Sequence, residues 1–98
     1  MDCYIKIFDL GQDRMVAVCD KNIIGHVFKE GKLRIEIKES FYKGKIVSFE
    51  EAIDEIKKAT IANIIGNGII KEAIKSQLIH ESAVLHISGI AHAQIIKV

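Results

Sequence analysis

The longest periodic stretch of the chain runs from Ser48 to Gly66 and reads SFEEAIDEIKKATIANIIG. Ser48 followed by Glu51 forms a capping box, and the acidic residues that follow lie at the positive end of a helix dipole. Apolar and small side chains then recur three or four residues apart, which is the spacing of one helix face. We therefore predict one long helix from Ser48 to Ile65, ended by Gly66, with this stripe facing the core: Ala52, Ile53, Ile56, Ala59, Thr60, Asn63 and Ile64.

The glycines after this stretch admit two interpretations. Gly66-Asn67-Gly68 precedes a second apolar pattern, Ile69 to Leu78, which predicts a shorter helix. Free backbone N–H groups at the start of that helix favour an anion. We prefer the other interpretation, in which Gly66 simply ends the first helix. A nucleotide fingerprint does not fit, because the third glycine of GxGxxG would fall at Lys71 and no strand is predicted before the loop.

Upstream of the helix, alternating apolar runs predict strands. Tyr4–Phe8 and Met15–Cys19 are typical of a hairpin. Pairing Phe8 with Met15 places Cys3 beside Asp20 and turns Cys19 to the other face, so we expect no disulfide between Cys3 and Cys19.

Further strands are predicted along the chain. Leu33–Ile37 alternates as a strand with one buried face, Lys45–Val47 is either a short strand or the approach to the helix, and Val84–Ile87 with Ala93–Val98 forms a second hairpin. We therefore predict an α+β fold: a mixed or antiparallel sheet of four to six strands, covered on one face by the long helix and its shorter neighbour.

Composition limits the function classes only broadly. Of the 98 residues, 49% are apolar, enough for one domain over residues 1–98 to fold without disulfides or metal. A net charge of +1 excludes attraction of polyanions by overall charge and restricts any nucleic-acid contact to a local patch. Two cysteines, no signal peptide and no apolar run approaching the ~18 residues of a membrane helix favour a cytosolic protein.

Five side chains form a candidate polar site if the two hairpins are neighbours: Asp20, Asn63, His92, Gln94 and Cys19. A carboxylate that orients an imidazole suits a general base, and Cys19 is a candidate thiol nucleophile with His92 as its base. The competing interpretation, which we favour, is a hydrogen-bonded network that caps the core, with Cys19 as a buried apolar residue. No CxxC or HxxxH spacing supports zinc, so we expect neither a metal nor an organic cofactor.

Cations interleaved with aromatics form a second candidate surface. Aromatic side chains among lysines and arginines can stack exposed RNA bases. The alternative is a solvated strand edge whose lysines discourage aggregation, with the aromatics in the core. The residues concerned are Lys29, Lys32, Arg34, Lys43 and Lys45 around Phe41 and Tyr42.

Several of these stretches together resemble, over nearly the full chain, an archaeal family known as domain of unknown function 424. That resemblance implies an α/β fold, an intracellular setting and association with the translation apparatus, without an established activity. The family often places a proline before the final histidine, whereas this chain has Ala91. The resemblance rests on Val16 to Asp20, Gly25, Phe28, Gly31, Ser40 to Tyr42, Ala59 to Asn63, Gly66, and His92 to Gln94 after Gly89.

Three functions remain open. The leading hypothesis is a non-enzymatic cytosolic binding module that serves RNA or a ribosome-associated protein through the Ser40 to Lys45 region. The first rival is a small enzyme or ligand-binding protein that uses the polar site. The second is a structural homodimer, for which an exposed Ile-rich strand edge would be the telling feature.

Overall fold

The predicted long helix is in fact a helix followed by a strand. In the computed structural model, which describes residues 1–98, Phe49–Lys58 is α-helical and Ile61–Ile65 is a β-strand. The capping box is present, since the backbone N–H of Glu51 donates to Ser48 Oγ at 3.1 Å. The prediction of a helix to Ile65 is wrong because β6 is a short, mostly apolar strand covered on both faces, and such a short run fits the helix period as well as the strand period.

The chain forms eight strands and three helices. In chain order the strands are β1 (Asp2–Leu10), β2 (Asp13–Asp20), β3 (Val27–Glu30), β4 (Leu33–Glu36), β5 (Lys45–Ser48), β6 (Ile61–Ile65), β7 (Leu85–Ile87) and β8 (Ile90–Ile96). The helices are α1 (Glu39–Tyr42), α2 (Phe49–Lys58) and α3 (Asn67–Lys75), and single 3-10 turns cover Lys21–Ile23 and Glu81–Ala83.

Six strands form one mixed sheet in the order β5-β1-β2-β6-β8-β7. Only β2 and β6 are parallel, and every other neighbouring pair in the sheet is antiparallel. Phe8 lies opposite Met15 and Cys3 opposite Asp20, as the alternation predicts. The predicted α+β class with a mixed sheet is therefore confirmed, while β3 and β4 pair separately as a hairpin.

Both faces of the sheet are covered, rather than one. On the first face α2 and α3 bury an aliphatic core that includes Val18, Ile56 and Ile69. On the second face α1 and the β3–β4 hairpin close a smaller core around Cys19 and Tyr42. The sequence does not predict this second layer, because α1 spans only four residues and a helix that short has no period to detect.

Part of the second face remains open. Phe8, Met15, Ile61 and Ile96 lie side by side on four adjacent strands, since Phe8 pairs with Met15, Met15 with Ile61, and Ile61 with Ile96. Ile96 is 67% exposed, and the other three are half-buried. We call these four side chains the open row.

None of the helices combines the length and the apolar character needed to cross a membrane.

Candidate functional site

Asp20 caps the amino terminus of α3. Its Oδ2 accepts from the backbone N–H of Gly68 at 2.7 Å, and its Oδ1 accepts from Ile69 N–H at 2.9 Å. Asp20, at the end of β2, meets the start of α3, which follows β6, because β2 and β6 are parallel and their carboxyl ends lie at the same edge of the sheet. The helix dipole and free N–H groups that favour an anion are therefore satisfied by the chain's own carboxylate.

The glycines of the loop permit this close approach. Gly66 follows a strand, so the expectation that it ends a helix is wrong, as is the expectation that no strand precedes the loop. Its φ is +123°, and a Cβ there would lie 2.4 Å from Asp20 Cγ. A Cβ on Gly68 would lie 2.8 Å from the Phe49 ring. Both positions thus require glycine for packing.

Asn67 ties the same loop to the last hairpin. Its Nδ2 donates to the carbonyl of Gly89 at 2.9 Å, and its Oδ1 accepts from the N–H of Ala91 at 2.8 Å. A cleft of about 540 Å³ opens beside Asp20, but the Asp20 oxygens that border it already hold α3.

The second face carries a separate network of neutral side chains. Tyr42 donates its hydroxyl proton to Asn63 Oδ1 at 2.8 Å, and His92 Nε2 lies 3.1 Å from the same oxygen. Because an amide oxygen only accepts, the ring proton of His92 is on Nε2, and Nδ1 is left unprotonated. Burial lowers the pKa of His92 and raises the pKa of Tyr42, so both side chains are uncharged near neutrality.

Gln94 lies beside this network on the solvent side without joining it. It lies opposite Asn63 on the neighbouring strand and two residues after His92, so all three share one face. Its side chain is exposed and makes no hydrogen bond.

Cys19 packs in the same small core as Tyr42 but takes no part in the hydrogen bonds at Asn63. It is fully buried, and burial together with the nearby Asp20 carboxylate raises the pKa of its thiol to about 12. β6 lies between Cys19 and His92, which places their Cα atoms about 10 Å apart. A protonated thiol without an adjacent base does not suit nucleophilic catalysis.

The structure therefore separates the five residues of the candidate polar site. Asp20 points to the first face and belongs to α3, whereas Asn63, His92 and Gln94 lie together on the second face. Tyr42 joins the latter group, which the sequence alone does not indicate.

Lysines and aromatic rings alternate where α1 meets β1. Phe41 stacks on Phe8 with ring centres 5.5 Å apart, and Lys6 Nζ lies 5.4 Å from the Phe8 ring centre. Lys43 Nζ lies 6.0 Å from the centre of the Tyr4 ring. We call this group the lysine–aromatic surface: Tyr4, Lys6, Phe8, Phe41 and Lys43. The predicted Lys45 is not part of it, because Lys45 pairs with Ile5 and lies on the helix face of the sheet, beside Glu51 and Asp54 of α2.

The structure divides the cations and aromatics that the sequence groups together. Tyr42 is buried at 4% exposure and its ring is unavailable to a ligand, whereas Phe41 is half-buried. Arg34 lies on the β3–β4 hairpin, 3.8 Å from the Glu36 carboxylate and away from α1. Lys6 and Phe8 are missed as site residues, although strand alternation places them on the face opposite the buried Ile5.

The same fold occurs in one archaeal protein. A crystal structure described as an uncharacterized conserved protein from Methanopyrus kandleri superposes with a TM-score of 0.83 at 22% sequence identity. The match covers 100% of this chain and 95% of that chain, and it shows a shared fold. No curated protein matches the sequence.

The resemblance seen in the sequence is confirmed. The model of the family described as protein of unknown function (DUF424) matches residues 8–98, including β6, α3 and the final histidine, and the chain belongs to that family.

Proposed function

We propose that the protein is a non-enzymatic module that binds RNA through the lysine–aromatic surface. The observation that carries this proposal is the Phe8–Phe41 stack, half-exposed and adjoined by the Lys6 ammonium. Aromatic faces beside ammonium groups bind nucleic acid because the cations neutralise phosphates while bases stack on the rings.

The local charge supports this site despite the low net charge. The α1 region carries Lys6, Lys38 and Lys43 with one acid, Glu39, which lies 3.5 Å from Lys43. On the other side of the molecule α2 carries four acidic residues and two lysines, a net negative charge that repels phosphate. A polyanion is therefore attracted to the α1 side of the sheet rather than to the helix side.

A binding role fits the remaining side chains better than catalysis. The Asp20 carboxylate is committed to α3, the Cys19 thiol is protonated, and the His92 ring is neutral and held by Asn63. Among the residues of the candidate polar site, no acid, base and nucleophile lie within reach of one another, which chemistry on a bound substrate requires.

The test uses two charge-matched double variants. Lys38→Gln/Lys43→Gln removes two exposed cations beside α1, and Lys71→Gln/Lys75→Gln removes two exposed cations from α3. We expect micromolar-range RNA binding that weakens with salt, and a salt slope that falls by ~0.7 for each lost phosphate contact only in the first variant. Ribosome co-sedimentation at the same salt concentrations extends the measurement to the translation apparatus.

Equal losses in the two variants would place the contact elsewhere, since both have the same net charge. Absence of RNA binding at every salt concentration would falsify the proposal.

A further inference from the structure

The lysine–aromatic surface continues across the sheet as the open row. Phe8 belongs to both, and Met15, Ile61 and Ile96 follow on successive strands. With neighbouring strands about 4.8 Å apart, the row spans about 14 Å. One end lies beside lysines and the other end is the exposed side chain of Ile96.

One polar side chain, Gln94, borders the far end of this row. Gln94 lies two residues before Ile96 on the same face of β8 and is exposed. Its amide offers donors and an acceptor to the edge of a base that lies on the apolar row.

We infer that the open row takes unpaired bases, so that the RNA is single-stranded, and that Gln94 contacts a base edge at its far end. This inference rests on the proposed function and names its substrate class. The phosphates follow the lysines beside α1, and the base planes cover Phe8, Met15 and Ile61. A duplex does not fit the same surface, because its base faces are stacked internally and the apolar row would meet charged phosphates.

The first measurement needs no variant. Binding of a single-stranded oligoribonucleotide is compared with binding of the same strand annealed to its complement, at a salt concentration where the single strand binds. We expect the single strand to bind at least about tenfold more tightly, because base stacking is available only to unpaired bases.

The second measurement uses exposed positions, so that the fold is not disturbed. Ile96→Ser shortens the open row, and Leu33→Ser is its control, since Leu33 is also largely exposed but lies on the β3–β4 hairpin. We expect about fivefold weaker single-strand binding for Ile96→Ser alone. Gln94→Ala should change the order of preference among homopolymers without changing the salt slope, because its amide contacts bases rather than phosphates.

The outcomes separate the two proposals. Equal binding of duplex and single strand, or an Ile96→Ser variant that binds as tightly as Leu33→Ser, overturns the single-strand inference and leaves the lysine-dependent binding intact. Loss of all RNA binding overturns both.

Discussion

At the scale of single residues, the same side-chain type serves different purposes according to its backbone neighbours. Asp20 resembles a catalytic carboxylate in the sequence, yet both of its oxygens accept from the first turn of α3. Tyr42 and His92 both contact Asn63 Oδ1, on the face of the sheet opposite Asp20. The sequence was sufficient to select these residues as candidate site residues. Their hydrogen-bond partners could not be predicted, because those depend on which strands are neighbours in the sheet.

Asp20→Ala should destabilise the protein by about 2 kcal/mol, because two backbone donors of α3 lose a charged acceptor. Urea unfolding of the variant measures the loss, and Asp54→Ala, at an exposed position on α2, is the control with little expected change. An Asp20→Ala protein that is more stable than the parent would instead indicate a carboxylate kept under strain for function.

His92 should make stability depend on pH below 6.5. Burial lowers its pKa in the folded protein from the ordinary value of 6.5, so the unfolded chain binds the proton more readily. Its contribution is therefore fully present above pH 6.5 and is lost as the pH falls through the folded-state pKa. His92→Gln should flatten the stability profile in this range relative to the parent, and His26→Gln, at an exposed position, should not.

At the scale of elements, the junction between α2 and β6 separates what the sequence predicts from what it does not. The capping box and the apolar stripe correctly place α2 from its start, and both hairpins that flank β6 in the sheet are also predictable from alternation. The end of α2 cannot be predicted in this way, because Ala59, Asn63 and Ile64 continue the helical spacing by coincidence. Long-range pairing overrides that local pattern, since β6 becomes a central strand between β2 and β8.

Thr60 connects the junction between α2 and β6 to the start of β2 by hydrogen bonds. Its Oγ1 accepts from Arg14 N–H at 2.9 Å and donates to Asp13 Oδ1 at 3.0 Å, and its backbone N–H donates to the Arg14 carbonyl. A helix through this position would forfeit these bonds to β2. The local sequence carries no sign of them, because the partners lie 46 and 47 residues away.

Thr60→Val keeps the shape of the side chain and removes its hydroxyl. We expect a loss of about 1 to 2 kcal/mol, since the backbone N–H of Arg14 is left without its acceptor. Thermal or urea unfolding measures it, with Ser40→Ala at an exposed position as the matched loss of a hydroxyl. A neutral Thr60→Val would mean that water replaces the hydroxyl at this junction.

At the scale of the whole molecule, two cores lie on opposite sides of one sheet. Cys3 belongs to the core under α2 and α3, and Cys19 belongs to the core under α1. The sheet edges are short, with four residues in β5 and three in β7, and neither is the Ile-rich edge that a homodimer of edge strands would use. The layer formed by α1 and the β3–β4 hairpin could not be predicted from the sequence, because it depends on contacts that these short elements make with the sheet.

The two cysteines report on these cores independently. Both thiols are fully buried and have a pKa raised to about 12, mainly by burial. We expect neither to react with a thiol reagent at pH 8 in the folded protein, and both to be labelled at one common rate that rises with urea. Mass spectrometry of partly labelled protein distinguishes the sites. Early labelling of Cys19 alone would show that the α1 layer opens while the helix layer stays closed.

The bond between Asn67 and Ala91 has a consequence for how this loop can vary among relatives. Asn67 accepts from the Ala91 N–H, a group that proline lacks. A lineage with proline at position 91 therefore has no donor there for an asparagine at position 67. The two positions, 24 residues apart, should accordingly have changed together during divergence.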